Sequence, residues 1–185
     1  LIQDAAVISH GPVGCASCLH EFSFTYRVNA PLRNLQHPTP RHIFSTNLKE
    51  KDTVYGGNIK LANAIREVYE RTKANAIFVL TTCAAGIIGD DVESVCNEAE
   101  DELGIPVVAV FCEGFRSKVW TTGFDAGYHA IARKLIAKPR QRRKDIINVI
   151  NFWGSDVFSE WFAPFGAKPN YITPYSTVNG LKYAS

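Results

Sequence analysis

Methionine is absent from this chain of 185 residues, even at position 1. The opening "LIQDAAV" enters an apolar run at once, and it lacks the basic region and the long apolar stretch of a secretory signal. At the other end, "NGLKYAS" stops without the pattern of a closing helix. We therefore expect a piece of a longer protein that stays in the cytoplasm.

An excess of one charge and an apolar run of membrane length are also missing. Twenty Lys and Arg residues face 18 Asp and Glu residues, which gives a net charge of +2 and predicts no nucleic-acid partner. The apolar runs are only as long as strands, so we expect no membrane segment. Hydrophobic residues make up 46% of the chain and charged residues 21%, which is typical of a folded α/β protein.

Strand-like and helix-like patterns alternate along the chain. Continuous apolar runs of the kind found in parallel sheets predict strands at 5–9, 42–46, 76–81 and 106–111. Apolar residues at helical spacing predict helices at 58–73, 92–103 and 122–137. The first has Leu61, Ile65 and Val68 on its apolar stripe, Gly104 ends the second, and the third has Phe124 and Ile131 in register. Asp90, followed by Glu93, predicts a capping box at the start of the second of these helices. The predicted fold class is α/β, a Rossmann-like parallel sheet with helices on both faces.

A basic stretch, "KPRQRRK", interrupts this alternation at residues 138–144. We interpret it as a solvated linker rather than a docking patch, because it contains a proline and five basic side chains. Residues 1–137 then form the first domain, and residues 145–185 open a second Rossmann-like domain with a strand, a helix and a strand. The strand at 146–152 is expected to start a separate sheet.

Sulfur stands at the end of three predicted strands. Cys15, Cys83 and Cys112 each follow an apolar run, and the carboxyl ends of parallel strands meet at one edge of a sheet. Glycines and alanines nearby, including Gly14 and Gly86, leave room beside the backbone. Soft thiolate ligands with small neighbours suit an iron–sulfur cluster. No export signal supports a disulfide framework.

Each cysteine also has an alternative interpretation. Cys96 lies on the apolar face of a predicted helix and is expected in the core. Cys112 fits a core position as well as a site, and Cys18 either completes a CxxC pair with Cys15 or packs under the first helix. Polar, glycine-rich loops surround Cys15 and Cys83, which favours a site for both.

An alternative from another class needs no metal. Cys83 would be a nucleophile, activated by a helix N-terminus and by His10 or His20. This hypothesis leaves the sulfurs at the other strand ends unexplained. Asp90 and Asp91 resemble an acid–base pair, but helix capping and the helix dipole account for both carboxylates.

Several motifs, in order and at similar intervals, resemble the nitrogenase component 1 family on its α-type side. They are "HGPVGC", "STNLKEKDTVYGG", "TTCAAGIIGDDVESVC" and "CEGFRS". That family contains catalytic subunits, cofactor-assembly scaffolds and nitrogenase-like reductases. The resemblance covers residues 5–137 and continues more weakly beyond them.

The resemblance implies a subunit of three Rossmann-like domains that pairs with a β-type subunit. Cysteines from both subunits would hold an iron–sulfur cluster, either P-cluster-like or [4Fe–4S], at their interface. Cys15 and Cys83 match the family's ligands, with Cys18 and Cys112 as further candidates. A third α-type cysteine would lie upstream of this chain. His10 would lie beside the cluster and bond a sulfide, or else cap a loop; Gly14 and Gly86 would also lie beside the cluster.

The resemblance also implies an ATP-dependent iron protein as electron donor, which agrees with the lack of a Walker motif here. An iron–molybdenum-type or other complex metal cofactor is expected in the full-length protein. The host would be an anaerobic or oxygen-protected prokaryote.

Two positions depart from the molybdenum enzymes. Trp120 and Phe124 stand where those enzymes place a glutamine and a histidine against the cofactor, although a shift of alignment would give His129 that role. Arg116 is the third candidate for the cofactor cavity, unless it pairs with Glu113. Phe124 has no hydrogen-bonding group, and Trp120 has only its indole N–H in place of an amide or imidazole. We therefore predict a reductase for a larger or more apolar substrate, or an assembly scaffold, rather than an enzyme that fixes nitrogen.

Overall fold

Four parallel strands form the first sheet of the computed structural model, which describes residues 2–17, 19–20, 42–119, 121–137, 143–150, 157–173 and 176–182. The strand order is β2-β1-β3-β4. The strands are β1 (Ala5–His10), β2 (His42–Ser45), β3 (Ala76–Thr81) and β4 (Val107–Val110). All three strand pairings are parallel. The predicted α/β class and parallel sheet are confirmed, and β4 is shorter by one residue at each end than its apolar run predicts.

Helices cover both faces of this sheet. They are α1 (Glu50–Tyr55), α2 (Asn58–Thr72), α3 (Cys83–Ile88), α4 (Val92–Leu103) and α5 (Thr122–Lys134). Residues 13–17 are also helical. The apolar faces of α2 and α4 pack on one face of the sheet, and that of α5 packs on the other. Each strand residue therefore contributes to one of two cores, which is why the strand sequences are apolar throughout.

The predicted helical stripes are the buried ones. Leu61, Ile65 and Val68 of α2 are buried against β1 and β3. Burial of each such aliphatic side chain contributes about 1.5–3 kcal/mol. On α5, Ile131 is buried and Phe124, about two turns earlier, stays 40% exposed. The pattern therefore identified the helix but overestimated how much of it is covered.

The start of α4 corrects one prediction. Asp91, not Asp90, caps this helix, because its Oδ1 accepts the backbone N–H of Ser94 at 3.1 Å. Asp90 turns inward instead, where its two oxygens accept from His10 and from the backbone of Gly57. The predicted stop at Gly104 is confirmed, since this residue ends the helix with a left-handed φ of 68°.

A second sheet contains only β5 (Ile146–Ile150) and β6 (Lys168–Thr173), paired in parallel. Helix α6 (Phe158–Phe162) connects them. The strand that begins at 146 thus lies outside the first sheet, as predicted. Residues 138–142 of the proposed linker fall outside the described part of the chain, and the domain boundary there stays a prediction.

The last described segment returns to the first sheet. Val178 and Leu181 of α7 (Val178–Lys182) are buried in the core that also holds Ala5 and Ala76. Asp4 Oδ1 accepts the backbone N–H of Val178 at 2.9 Å, which fixes the start of the helix. This segment therefore covers part of the face that α5 leaves open. Of the helices the structure describes, none has both the length and the apolarity to cross a bilayer.

Candidate metal centre

The carboxyl ends of β1, β3 and β4 lie at one edge of the first sheet. The register pairs His10 with Thr81 and Leu80 with Val110. Beyond these pairs the loops stay connected, because the Thr82 hydroxyl donates to the His10 carbonyl oxygen at 2.9 Å. Likewise, the Cys112 N–H donates to Thr81 Oγ1 at 3.1 Å. The structure thus supports the prediction that the three strand ends share one edge.

Two free thiols are exposed at this edge. Cys83 is the first residue of α3, directly after β3, and Cys15 lies in the helical segment that follows β1. A Cβ added at Gly114 would lie 3.5 Å from the Cys83 sulfur, and one added at Gly14 would meet nothing within 4 Å. Gly14 thus leaves open space next to Cys15 in the chain, whereas the turn at Gly114 lies close to the Cys83 sulfur. Cys18, the other member of the CxxC pair, lies outside the described residues.

The other two described cysteines are in different surroundings. Cys96 is 1% exposed in the core, as predicted, and burial raises the pKa of its thiol to about 12. Burial raises the pKa of Cys112 to about 11, and its sulfur donates to the Thr81 carbonyl oxygen at 3.5 Å. Because the thiolate is the form that binds metals, these shifts favour packing roles for both.

His10 is fully buried behind the edge. Its Nε2 lies 3.0 Å from Asp90 Oδ2, and its Nδ1 lies 3.1 Å from Thr46 Oγ1. Burial lowers the pKa of the imidazole, with the Asp90 hydrogen bond opposing that shift. In the neutral ring, Nε2 carries the proton because a carboxylate only accepts, and Nδ1 then accepts from the Thr46 hydroxyl. Both ring nitrogens are therefore engaged, which does not support His10 as a base for Cys83.

Gly86 lies on α3 next to the buried side chain of Glu113. A Cβ at Gly86 would lie 2.8 Å from Glu113 Cγ and 3.2 Å from Phe115 Cζ. Glu113 is buried, and its Oε2 lies 2.7 Å from Arg116 Nε, although no N–H of the guanidinium is aligned for a hydrogen bond to that oxygen. Glu113 and Arg116 are thus paired. This glycine permits close packing of the loop that follows β4.

Of the remaining residues predicted for the cofactor cavity, some lie on α5 and one lies outside the described part of the chain. Phe124 lies on the partly exposed face of α5. Trp120 falls outside the described residues. His129, on the same helix, lies 3.5 Å from Asp125 and is exposed. Within the ranges that the structure describes, no three His, Cys, Asp or Glu side chains are grouped so as to hold a metal ion.

Comparison with known proteins decides the family. The model of the family described as nitrogenase component 1 type oxidoreductase matches residues 1–185. The chain belongs to this family. Among its relatives is the nitrogenase iron-molybdenum cofactor biosynthesis protein NifE of Clostridium pasteurianum, which is 37% identical over 149 residues. The nitrogenase molybdenum-iron protein alpha chain of the same organism is 35% identical over 150 residues.

A solved structure agrees with the sequence relatives. The structure titled nitrogenase Cp1 at pH 6.5 superimposes with a TM-score of 0.79 and 31% sequence identity, over 98% of this chain. Both Clostridium relatives align with 80% of this chain. In turn, the chain spans 31% of NifE, 28% of the alpha chain and 36% of the Cp1 chain. It therefore corresponds to about a third of the length of these proteins.

Sequence reasoning missed the polar residues that hold the edge together. Thr46, Thr82 and Asp90 hydrogen-bond across 36 to 80 positions of sequence. A threonine that bonds across strands looks the same in sequence as one that favours a strand by shape. The only available signal was the pair of adjacent aspartates, of which just one is needed as a cap.

Proposed function

We propose that the full-length protein is the α-type subunit of a nitrogenase-like component 1 and holds an iron–sulfur cluster through Cys15 and Cys83. One observation carries this proposal: two exposed, free thiols follow adjacent, in-register parallel strands. The two described cysteines with raised pKa values are instead packed against protein. Exposed thiols of this kind are accessible to a soft metal.

The chemistry of the edge fits such a cluster. Cysteine thiolates are the usual ligands of iron–sulfur clusters, and the cluster would supply one-electron transfer when bound. Around Cys15, Gly14 leaves open space, and the Gly114 turn approaches Cys83 without a side chain. This chain would hold the cluster with two sulfurs and shield it from water on the sheet side.

A [4Fe–4S] cluster takes four thiolates, so Cys15 and Cys83 need further ligands, which the upstream α-type cysteine and a partner subunit would supply. Exposed apolar side chains flank the two cysteines, among them Val13, Ile87 and Phe115, and Ile87 is 77% exposed. Large exposed apolar side chains are typical of protein interfaces. We therefore place the β-type subunit on this surface. Electrons would come from an ATP-dependent iron protein.

A second candidate function is a scaffold for assembly of the iron–molybdenum cofactor. Phe124 favours it, because an aromatic side chain replaces the histidine of the molybdenum enzymes on α5. Several relatives are named as NifE, an iron-molybdenum cofactor biosynthesis protein, including those of Clostridium pasteurianum and Methanosarcina barkeri. Both candidates share the cluster and the β-type partner. Neither fixes nitrogen.

The test uses the full-length protein, purified without oxygen together with its β-type subunit. Iron and acid-labile sulfide are measured in the unchanged complex and in Cys15→Ser, Cys83→Ser and the control Cys96→Ala. We expect the first two variants to lose most of the iron and the control to retain it. Equal iron in all four preparations would contradict the assignment of the ligands.

Turnover separates the two candidate functions. Reduction of acetylene by the complex with its iron protein supports the reductase. Without turnover, transfer of a metal cofactor to a cofactor-free component 1 supports the scaffold. An active complex free of iron would contradict both and favour the metal-free alternative. Robust ammonia production from dinitrogen would show that the interpretation of Phe124 is wrong.

A further inference from the structure

Helix α3, which begins with Cys83, is attached at both ends to the same residue. At its start, the N–H and the hydroxyl of Thr82 both donate to the carbonyl oxygen of His10, at 3.3 and 2.9 Å. At its end, Asp90 follows the left-handed Gly89 and accepts from His10 Nε2 at 3.0 Å. The backbone of one residue therefore holds the first end, and its side chain holds the second.

A short helix depends on such attachments. Helix α3 has six residues, and helices of this length are not stable in isolation. The N-cap side chain of Thr82 makes no bond to the helix itself, since its hydroxyl donates to His10. Of the six residues, only Ala85 is buried. Beside the close contact of Gly86 with the loop after β4, hydrogen bonds to β1 thus fix the position of this helix.

Asp90 also attaches the end of α3 to the junction between α1 and α2. Its Oδ1 accepts the N–H of Gly57, between α1 and α2, at 2.7 Å. The junction is tight, because a Cβ at Gly57 would lie 2.7 Å from Asp90 Oδ2 and 3.0 Å from His10 Cε1. On the other side of the ring, Thr46 Oγ1 accepts the N–H of Gly11 at 3.0 Å. The imidazole therefore links four separate segments at one point.

We propose that His10 is a positioning residue, which together with Asp90 sets the place of Cys83 at the edge of the sheet. The role is indirect, since both ring nitrogens bond to protein and neither reaches the thiol. This role adds to the proposed function, and it rests on that function only in the assumption that Cys83 holds a cluster. The fixed placement of Cys83 is a property of this chain, with or without metal.

The surroundings of the ring favour one fixed state. His10 is fully buried, and the carboxylate of Asp90 also bonds Gly57, so neither partner is free to turn toward water. If one partner is removed, the other keeps a buried polar atom without a bond, which is costly. Loss of His10 therefore releases Asp90 and the end of α3 together. A role in filling core volume alone would leave α3 unchanged when the volume is kept.

Amide hydrogen exchange tests the proposal without relying on metal. The full-length protein is compared with His10→Leu, His10→Gln and Asp90→Asn, in metal-free form. In His10→Leu and Asp90→Asn we expect roughly tenfold faster exchange at residues 86–90, as loss of one buried hydrogen bond implies. His10→Gln keeps an amide donor toward Asp90, so its exchange should lie closer to that of the unchanged protein.

Asp4→Ala is the matched control, because it acts at the opposite end of the same strand. Asp4 bonds the N–H of Val178 and the side chain of Asn75, and the structure gives it no bond to α3. In this variant exchange should rise at residues 176–182 and stay unchanged at 86–90. Equal acceleration at both places in every variant would overturn the proposal, since it would indicate only general loss of stability. Unchanged exchange at 86–90 in His10→Leu would overturn it as well.

A second measurement covers the case in which His10→Leu does not fold. In His10→Gln and Asp90→Asn complexes that carry iron, the reduction potential of the cluster should shift while the iron content stays near that of the unchanged complex. A potential that is unchanged in both variants would overturn the positioning role. If the complex without any substitution contains no iron, the proposed function is overturned. The hydrogen-exchange result for His10 would still stand in that case.

Discussion

Cys83 and Cys96 lie only 13 positions apart, yet one is exposed at the edge of the sheet and the other is sealed in its core. Cys83 starts a helix held by hydrogen bonds, whereas Cys96 lies in the middle of a helix held by apolar packing. Burial raises the pKa of Cys96 to about 12, which suppresses its thiolate. The two sulfurs therefore differ in exposure, and only that of Cys83 is open to a ligand.

Cys112 shows that a strand end alone is not sufficient. It follows β4 at the same edge, but it is half-buried and its pKa is raised to about 11 by burial and by the neighbouring Glu113 carboxylate. Its N–H and its thiol both bond Thr81. A site cysteine at this edge also needs a loop that leaves the thiol exposed.

The largest expected difference between the edge and the core is in thiol reactivity. In the metal-free full-length protein at pH 8, Cys15 and Cys83 should react with a maleimide at least about a hundredfold faster than Cys96 and Cys112, because both are exposed, whereas burial shields the other two thiols and raises their pKa values. Mass spectrometry of timed samples measures each site. The rates of the two buried thiols should rise with pH toward 11, and equal rates at pH 8 would contradict the comparison.

The next largest effect is expected from substitution of two glycines at the edge of the sheet. Gly11→Ala should destabilise the full-length protein by about 1–3 kcal/mol, since the added Cβ would collide with the side chain of Thr82. Gly14→Ala is the control, with nothing within 4 Å of the new methyl group, and it should change stability by about 1 kcal/mol or less. Urea denaturation measures both. A similar loss in the two variants would contradict the close approach at Gly11.

Replacement of cysteine by serine compares how much Cys96 and Cys83 contribute to stability. Cys96→Ser should lower the free energy of unfolding by about 1–3 kcal/mol, because it places a hydroxyl in an apolar core. The same change at the exposed Cys83 should fall within about 0.5 kcal/mol in metal-free protein. Thermal unfolding of the two variants gives the comparison. A larger loss at Cys83 would show that its thiol packs.

The smallest expected effect concerns pH and His10. Burial lowers the pKa of this histidine in the folded protein, so below pH 6.5 the unfolded chain binds a proton that the folded chain does not. Stability should therefore fall as the pH decreases below about 6.5, by at most about 1.4 kcal/mol per pH unit from this group. In His10→Gln this part of the slope should vanish. An unchanged slope would assign it to other groups.

Much of the fold was predictable because its causes are local. The run "AIFVLT" predicts β3 at its observed bounds, and the spacing of Leu61, Ile65 and Val68 predicts the buried face of α2. Cys15 and Cys83 could be named as candidates because parallel strands bring their ends together. The exposed thiols are what the structure adds to that argument.

What sequence reasoning missed depends on distant contacts. Asp90 looked like a helix cap, and only the fold shows that it bonds His10, 80 positions away. The return of α7 to the first sheet depends in the same way on Asp4, 174 positions from Val178. Neither contact leaves a periodic signal. Patterns of spacing thus predict elements well, and they predict poorly the hydrogen bonds that fix elements to each other.

Iron-edge anomalous diffraction from crystals of the full-length protein with its β-type subunit would locate the iron. We expect iron bonded to the sulfur atoms of both Cys15 and Cys83, at the interface between the two subunits, and no iron at Cys96. Iron bound elsewhere, with Cys15 and Cys83 as free thiols, would contradict this expectation.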